Sequence, residues 1–405
     1  MSTRAFPFAK LWLGLFSVYL GDQILLFAVP LIIWNMTGSI AQAGVAYFIE
    51  WLPRVLFLPY GGVLIDRFGV RRVLLKTDAA KVVSCLVAFF LVKEEAGYLA
   101  LLLGIFNAVL SIGNAQTVVA ADAILAQTYS GDEFSRRQAS ISKADQCSMV
   151  LGPAFAAGLS LVIGIKQLLL AAAVFYFFNY INIRFILRHV QEETRPESSR
   201  SVLGDLQVGI SVLAEHKFLL LLTCVAALNN MLIGMLEAAG AAIITGRLNK
   251  PDSFFSLMNV IAGLNGVFAL SLVPLLLKRM TVRTLGTLSF CLLCLSGVIA
   301  NVADGFWFFL VGFGLMIGSS LLLGVYFRTV RATLIPREHM GKAVGLITCL
   351  NQASLPLTGL LLTAYGDSVG PQPLGLIITG VLVLVGGAVL SRDATKKVEI
   401  APEGA

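Results

Sequence analysis

The chain has 405 residues, of which 57% are hydrophobic and only 13% charged, and its mean hydropathy is +0.85. Soluble domains carry about 25% charged residues, so this composition excludes an ordinary water-soluble globule and calls for helices crossing about 30 Å of hydrocarbon. The formal net charge of +7 is not a nucleic-acid footprint, because the positive residues are sorted by side of the membrane rather than gathered in one patch.

Apolar runs place spans at about 10–34, 40–65, 72–93, 97–126, 138–163, 167–187, 216–245, 253–277, 284–302, 306–330, 341–365 and 374–391. The first run is too long for a cleavable signal and no small-residue cleavage site follows it. Of the 30 Lys and Arg, Lys93, Lys166, Arg247 and Lys250 fall in odd-numbered connections. Nearly all others fall in even-numbered connections, in the termini or at the adjoining span ends. Because Lys and Arg concentrate in cytoplasmic loops, twelve spans with both termini cytoplasmic are expected.

Span one carries Asp22 about halfway along, too deep for its short side chain to reach water. A carboxylate at bilayer centre costs about 3 kcal/mol on insertion scales, so Asp22 is expected either to take and release a coupled proton or to serve as a structural cap or ion-pair partner. Span two holds Glu50 and Arg54 in Glu50-Trp51-Leu52-Pro53-Arg54. Four residues apart, they share a helical face within ion-pair reach, with Pro53 kinking the turn between them. Arg54 is a candidate to bind an anionic substrate group or to act on Asp22, with Tyr47 and Trp51 as aromatic wall.

The loop after span two, Gly62-Val63-Leu64-Ile65-Asp66-Arg67-Phe68-Gly69-Val70-Arg71-Arg72, is a knot of charge between two apolar runs. Span four offers Asn107, Asn114 and Gln116 as pathway amides or interhelical hydrogen-bond partners. Asp122, Lys143, Asp145, Arg328 and Arg331 lie near cytoplasmic span ends. Span five packs small residues around a proline in Gly152-Pro153-Ala154-Phe155-Ala156-Ala157-Gly158, which permits close helix approach and a bend.

From Arg188 to Glu215 the chain is polar, a solvated linker followed by Val202, Leu206, Val208, Ile210, Val212 and Leu213, an amphipathic helix on the inner membrane face. Six spans lie on each side, so the expected domains are a bundle over 1–187, a linker over 188–215, a second bundle over 216–391 and a tail over 392–405. Shifting by 212 positions sets Gly62, Asp66, Arg67 and Arg71 against Pro274, Lys278, Arg279 and Arg283, and Gly152-Pro153 answers to Leu355-Pro356 of span eleven. Such echoes fit a transporter built from repeats. Span seven adds Asn229, Asn230 and Glu237, with Asn230 at the depth of Asp22 under the repeat, and span eleven adds Asn351 and Gln352; substrate contact and structural hydrogen bonding both account for these.

The six Cys all lie in apolar stretches and read as small buried hydrophobes, including the Cys291-x-x-Cys294 pair. The three His fall in loops or span ends. No metal site or cofactor is expected, and no serine elbow or nucleotide loop supports an enzyme.

The order Gly-x-x-x-Asp-Arg-x-Gly-x-Arg-Arg after the second span resembles the loop between helices two and three of the major facilitator superfamily. Asp22, Thr37-Gly38, and Leu52-Pro53 followed by Pro59 and Gly62 resemble its branch of macrolide-type efflux proteins and bacterial siderophore transporters. The resemblance implies an all-α integral membrane fold of twelve helices in two pseudo-symmetric six-helix bundles. It implies that Asp66, Arg67, Arg71 and Arg72, with Gly62 and Gly69 allowing close approach, form a conformational latch. Gly152, Pro153 and Gly158 are similar to the superfamily's exporter motif in span five. Span four departs from many proton-coupled exporters in lacking a mid-membrane Arg. The expected protein is a monomeric secondary transporter of the bacterial inner membrane, exporting a small amphipathic or anionic molecule, siderophore- or drug-like, at the expense of a proton gradient. Its partners are that molecule, protons and the lipid bilayer. Uptake of a ferric siderophore and a transporter-like sensor are the alternatives.

Overall fold

The structure is a computed structural model, and it describes residues 7–57, 61–92, 98–129, 131–187, 202–336 and 339–391. Among these residues the chain forms fourteen α-helices and a short π-helix, with no strand. In chain order they are α1 (Phe8–Thr37), α2 (Ile40–Phe57), α3 (Gly61–Phe68), α4 (Val70–Leu91), α5 (Leu99–Thr128), α6 (Gly131–Ile163), α7 (Leu168–Ile186), α8 (Val202–Glu215), α9 (Lys217–Ala238), the π-helix (Ala242–Arg247), α10 (Asp252–Leu277), α11 (Val282–Val302), α12 (Phe306–Leu334), α13 (Met340–Tyr365) and α14 (Pro371–Ser391). Apart from the short α3 and α8, the α-helices fall one for one on the twelve predicted spans.

Ten helical segments among the described residues are long and apolar enough to cross a membrane. The helices at the second and third predicted spans, α2 and α4, are not among them. Their polar content is the reason: α2 bears Glu50 and Arg54, and α4 bears Arg71, Arg72, Lys76, Asp78 and Lys81. At about 1.5 Å per residue, the 30 residues of α1 extend well beyond the hydrocarbon thickness. It ends where Gly38 turns left-handed at φ 60° and donates its N–H to the Trp34 carbonyl at 2.8 Å, a conformation glycine adopts without steric cost.

The chain divides into two compact units. The first comprises Met1–Val202, Glu237–Leu264 and Leu355–Pro371. In it α1 packs on α6 and α7, α4 on α5 and α7, and α2 on α5. Leu11, Leu15, Leu74, Ala120, Leu125 and Ile183 form a core between them. The segments contributed from later in the chain pack on the same helices: Phe255 stacks on Phe27 with ring centroids 5.8 Å apart. Gly44 of α2 faces Gly359 of α13, where a Cβ on either would sit within 2.8 Å of the other's carbonyl oxygen.

The second unit comprises Leu203–Leu236, Asn265–Ser354 and Gln372–Ala405. Within it α11 lies along α12, and Thr281 caps α11 by accepting the Thr284 N–H. The helix α8 is seated by Val212 and Leu213 against Leu219, Ile335, Ala343 and Ile347, while Ile210 points outward.

Large apolar side chains stand on the outside of both units, Leu161, Val162, Phe308 and Leu384 among them, as expected where the surroundings are lipid. The same fact corrects the reading of the cysteines. Cys85 is buried, but Cys147, Cys224 and Cys291 are exposed and Cys294 and Cys349 half-buried. An apolar flank in a membrane helix does not mean an inward face.

Candidate functional site

The most charged interior lies in the first unit, where α1, α4, α5 and α7 meet. Asp22 Oδ1 accepts the Tyr176 hydroxyl at 2.6 Å and the Lys81 ammonium at 3.3 Å. Lys81 also donates to Asn114 Oδ1, and its ammonium lies 4.8 Å from the Tyr176 ring centroid, a cation–π distance. The Lys81 side chain is fully buried and that of Asp22 is 17% exposed. Taking an ammonium out of water costs several kcal/mol; a carboxylate, an amide oxygen and an aromatic face offset that cost here. Space for the cation comes from two glycines. A Cβ on Gly113 would meet Lys81 Cε at 2.8 Å, and one on Gly21 would meet the Tyr176 ring at 3.0 Å.

One turn before Lys81, Asp78 is completely buried. Its Oδ2 accepts Asn179 Nδ2 at 2.7 Å, and no group of the protein donates to its Oδ1. Asp78, Lys81, Tyr176 and Asn179 were not singled out from the sequence. The charges of α4 follow directly on the Arg71-Arg72 loop and were read with that end of the span.

A second cluster joins α2, α5 and the end of α9. Glu50 Oε2 accepts Asn107 Nδ2 at 2.9 Å. The Arg54 guanidinium lies 4.7 Å from the Trp51 ring, and the Tyr47 and Trp51 rings are 6.0 Å apart. The expected Glu50–Arg54 ion pair is not among the ion pairs of the described residues. Arg54 instead lies back over the aromatic ring three positions earlier, and the amide from α5 takes the carboxylate. Arg54 remains within electrostatic reach of both Glu50 and Asp22, and Glu237 is near enough to Glu50 to repel its charge. None of Asp22, Glu50, Arg54 and Glu237 is exposed; all are partly buried.

The remaining amides are divided. Gln116 is buried with its Oε1 unpartnered, and Gln352 Oε1 is likewise without a partner. In the second unit Asn229 donates to Ser320 Oγ at 2.8 Å and Asn230 to the Asn351 carbonyl at 3.2 Å, which are interhelical bonds.

A sequence profile described as Major Facilitator Superfamily matches residues 11–358. The chain belongs to the Major Facilitator Superfamily. Among curated relatives, macrolide efflux protein A of Streptococcus pyogenes is 23% identical over 392 residues, covering 93% of each chain. Among solved structures, a bacterial homologue of the iron transporter ferroportin in an inward-facing state superposes with a TM-score of 0.76 at 16% identity, covering 97% of this chain and 100% of that one. A mutant of the nucleoside transporter NupG gives 0.74 at 13% identity, covering 94% and 99%. At such identities the structural likenesses speak for the fold alone, the all-α integral membrane fold of the superfamily.

In this superfamily member the charged loop spans α3 and the start of α4. The side chains of Gly62 and Asp66 lie outside the described residues. Arg67 is exposed with its guanidinium 5.6 Å from the Phe68 ring, and Gly69 turns between the helices at φ 79°. Arg71 is partly buried with Nε unpartnered, and Arg72 is exposed. In α6, Gly152 is required by contact, since a Cβ there would strike the Gln23 side chain of α1. Pro153 offers its carbonyl to Ser256 Oγ at 2.6 Å. Gly158 is exposed, with nothing near its Cβ position.

At the far end of α1 the first unit is tied by a carboxylate. Asp367 accepts the Ser39 hydroxyl and the Ile40 N–H at 2.7 Å each, and the Ala41 N–H at 3.3 Å, while Ser39 Oγ accepts the Gln42 N–H. The first amides of α2 are thus capped from a distant part of the chain, and Asn35 donates to Asp252 at 3.0 Å beside them. Helix caps contribute about 1 kcal/mol, so Asp367→Ala is expected to lower the thermal midpoint of the detergent-solubilised protein by a few degrees. Asp367→Asn, which keeps an acceptor oxygen, should lose less. An unchanged midpoint in the alanine variant would show that this contact contributes nothing.

Proposed function

We propose that the protein is a secondary active transporter of the bacterial inner membrane, with both termini cytoplasmic, that exports a small amphipathic molecule by alternating access in exchange for protons. The observation that carries this reading is the Asp22–Lys81 pair: a carboxylate and a fully buried ammonium in the apolar interior of the first six helices, with only the carboxylate reaching partly accessible surface. Polar residues at membrane depth are expensive and mark substrate or proton routes. Asp22 is the coupling carboxyl, and Lys81, Tyr176 and Asn114 hold it.

The Glu50, Arg54 and Glu237 cluster is the substrate-facing part. Tyr47 and Trp51 offer aromatic surface to an apolar body, and the neighbouring groups offer charge of both signs to a polar tip. Gln116 supplies further hydrogen-bonding capacity. Each half of the chain forms a six-helix bundle in this reading, joined through residues 188–215, and Gly62, Asp66, Arg67, Gly69, Arg71 and Arg72 act as the latch. Export is favoured over uptake by the likeness to macrolide efflux protein A and by the Gly152-Pro153 packing against α1 and α10. No bound metal or cofactor takes part; a proton gradient supplies the energy.

The test is proton movement in reconstituted vesicles on addition of macrolides and siderophores in turn. A substrate should drive protons in the opposite direction without ATP, and a protonophore should collapse its accumulation. Substrate movement that neither shifts protons nor responds to the protonophore would refute proton coupling.

A further inference from the structure

The buried cluster on α1, α4 and α7 contains two carboxyl groups, Asp22 and Asp78, and one ammonium, Lys81. Fully ionised, it would carry an uncompensated negative charge inside an apolar wall, which low-dielectric surroundings strongly oppose. The hydrogen bonds say which carboxyl is the surplus one. Asp22 receives the Lys81 ammonium and the Tyr176 hydroxyl on one oxygen, donors suited to a carboxylate. Asp78 receives one amide N–H, from Asn179, on Oδ2, while Oδ1 faces no donor. Asp78, Asn179 and Lys81 are all 0% exposed, as is Tyr176. The groups facing Asp78 are Lys81 from α4, Asp22 from α1, and Tyr176 and Asn179 from α7. Of these, only Lys81 is a cation; Asp22 is also within electrostatic reach of Arg54 from α2, whose nearer charge partner is Glu50, and of Asp145 from α6.

We propose that Asp22 and Asp78 share a single transferable proton against the fixed charge of Lys81, and that Asp78 is a second proton-carrying residue of the transporter. In the arrangement seen here the proton belongs on Asp78 and Asp22 is the carboxylate. Transfer breaks the O–H bond on Asp78 and forms one on Asp22, leaving Asp78 as the carboxylate beside Lys81. Net charge is unchanged by this internal transfer, and no other reactant enters it. Because α4 places Asp78 one turn closer to the Arg71-Arg72 end than Lys81, the two carboxyls are successive stations along the membrane normal.

This inference rests on the proton-coupled reading above, but its test needs no substrate. Infrared spectra of the purified protein at neutral pH, with aspartate labelled by carbon-13 at its side-chain carboxyl, should show an isotope-shifted C=O band of one protonated aspartic acid per chain. The label separates it from Glu50 and Glu237. The band should vanish in Asp78→Asn, and it should vanish equally in Asp22→Asn, because either change leaves one carboxylate matched to one ammonium. A band that survives in Asp22→Asn, or a wild-type spectrum with none or with two equivalents, would overturn the shared proton. The wild-type intensity decides the matter even if a variant fails to fold. Proton-free transport with the bands as expected would defeat the coupling reading alone; proton-driven transport with a surviving band would defeat this inference alone.

Discussion

Replacing Lys81 by Met is expected to be the most damaging single change in the first unit. Methionine keeps the length and apolar volume of the stem, so packing against Gly113 and Tyr176 survives. What is lost is the cation that lets Asp22 stay ionised inside the protein. Asp22 must then take up a proton when the protein folds at neutral pH, which for an ordinary aspartate costs about 4 kcal/mol. That agrees with the roughly 3–5 kcal/mol lost when one partner of a buried pair is removed. The sign of the pH dependence follows. The penalty should be full at pH 7 and shrink as the pH falls toward the range where free aspartate is already protonated, so the variant should gain stability relative to wild type on acidification. Adding Asp22→Asn to Lys81→Met should restore most of the loss, since the orphaned charge is gone. Thermal or denaturant unfolding of the four proteins in one detergent measures this as a double-mutant cycle. Equal stability of Lys81→Met and wild type would show that the pair is not held as described.

The second large effect is kinetic. Asp22→Asn keeps the shape of the side chain and an oxygen for the Tyr176 hydroxyl, and Asp78 can release its proton to balance Lys81. Stability should therefore fall far less than in Lys81→Met, within about 1 kcal/mol, the usual worth of one hydrogen bond. Transport driven by an imposed pH gradient should nevertheless drop by about 10²-fold or more, the range by which positioned proton-transfer groups commonly act. Counterflow, in which labelled and unlabelled substrate exchange without a gradient, should persist. If gradient-driven transport in vesicles were undiminished, Asp22 would have no part in coupling.

Much of the fold was legible because hydropathy and charge sorting report directly on which segments cross lipid. Each predicted span has a long helix, and Asp22, Glu50, Arg54 and Glu237 were visible as polar residues interrupting apolar runs. The most important cation was not found, and for a nameable reason. Lys81 stands on a helix that carries Arg71, Arg72 and Lys76 near its start, and it was not singled out from them. Yet it stands nine positions beyond Arg72, where the predicted span begins, about 14 Å at the usual rise. That depth is too great for a surface lysine, and the arithmetic needs only the sequence.

Tyr176 was illegible in a different way. It sits in the run Val174-Phe175-Tyr176-Phe177-Phe178-Asn179-Tyr180, where nothing local separates a hydroxyl that meets Asp22 from rings that face lipid. The Glu50–Arg54 spacing was correct for a pair on one helix face, but a single-helix argument does not know that α5 brings Asn107 to Glu50 or that Trp51 offers Arg54 a flat surface. Gly113 and Gly21 likewise gain meaning only from the side chains that occupy the space their missing Cβ atoms leave.

The seat of Lys81 has a mechanical consequence. Its stem runs over Gly113, with Thr77 of its own helix alongside, so the ammonium cannot swing away to a new partner by turning about its own bonds. It behaves as a fixed post on α4, while Asp22 is carried by a different helix, α1. Any separation of the two charges during the working cycle must then be a displacement of whole helices, which ties the fate of a proton directly to the movement of backbone.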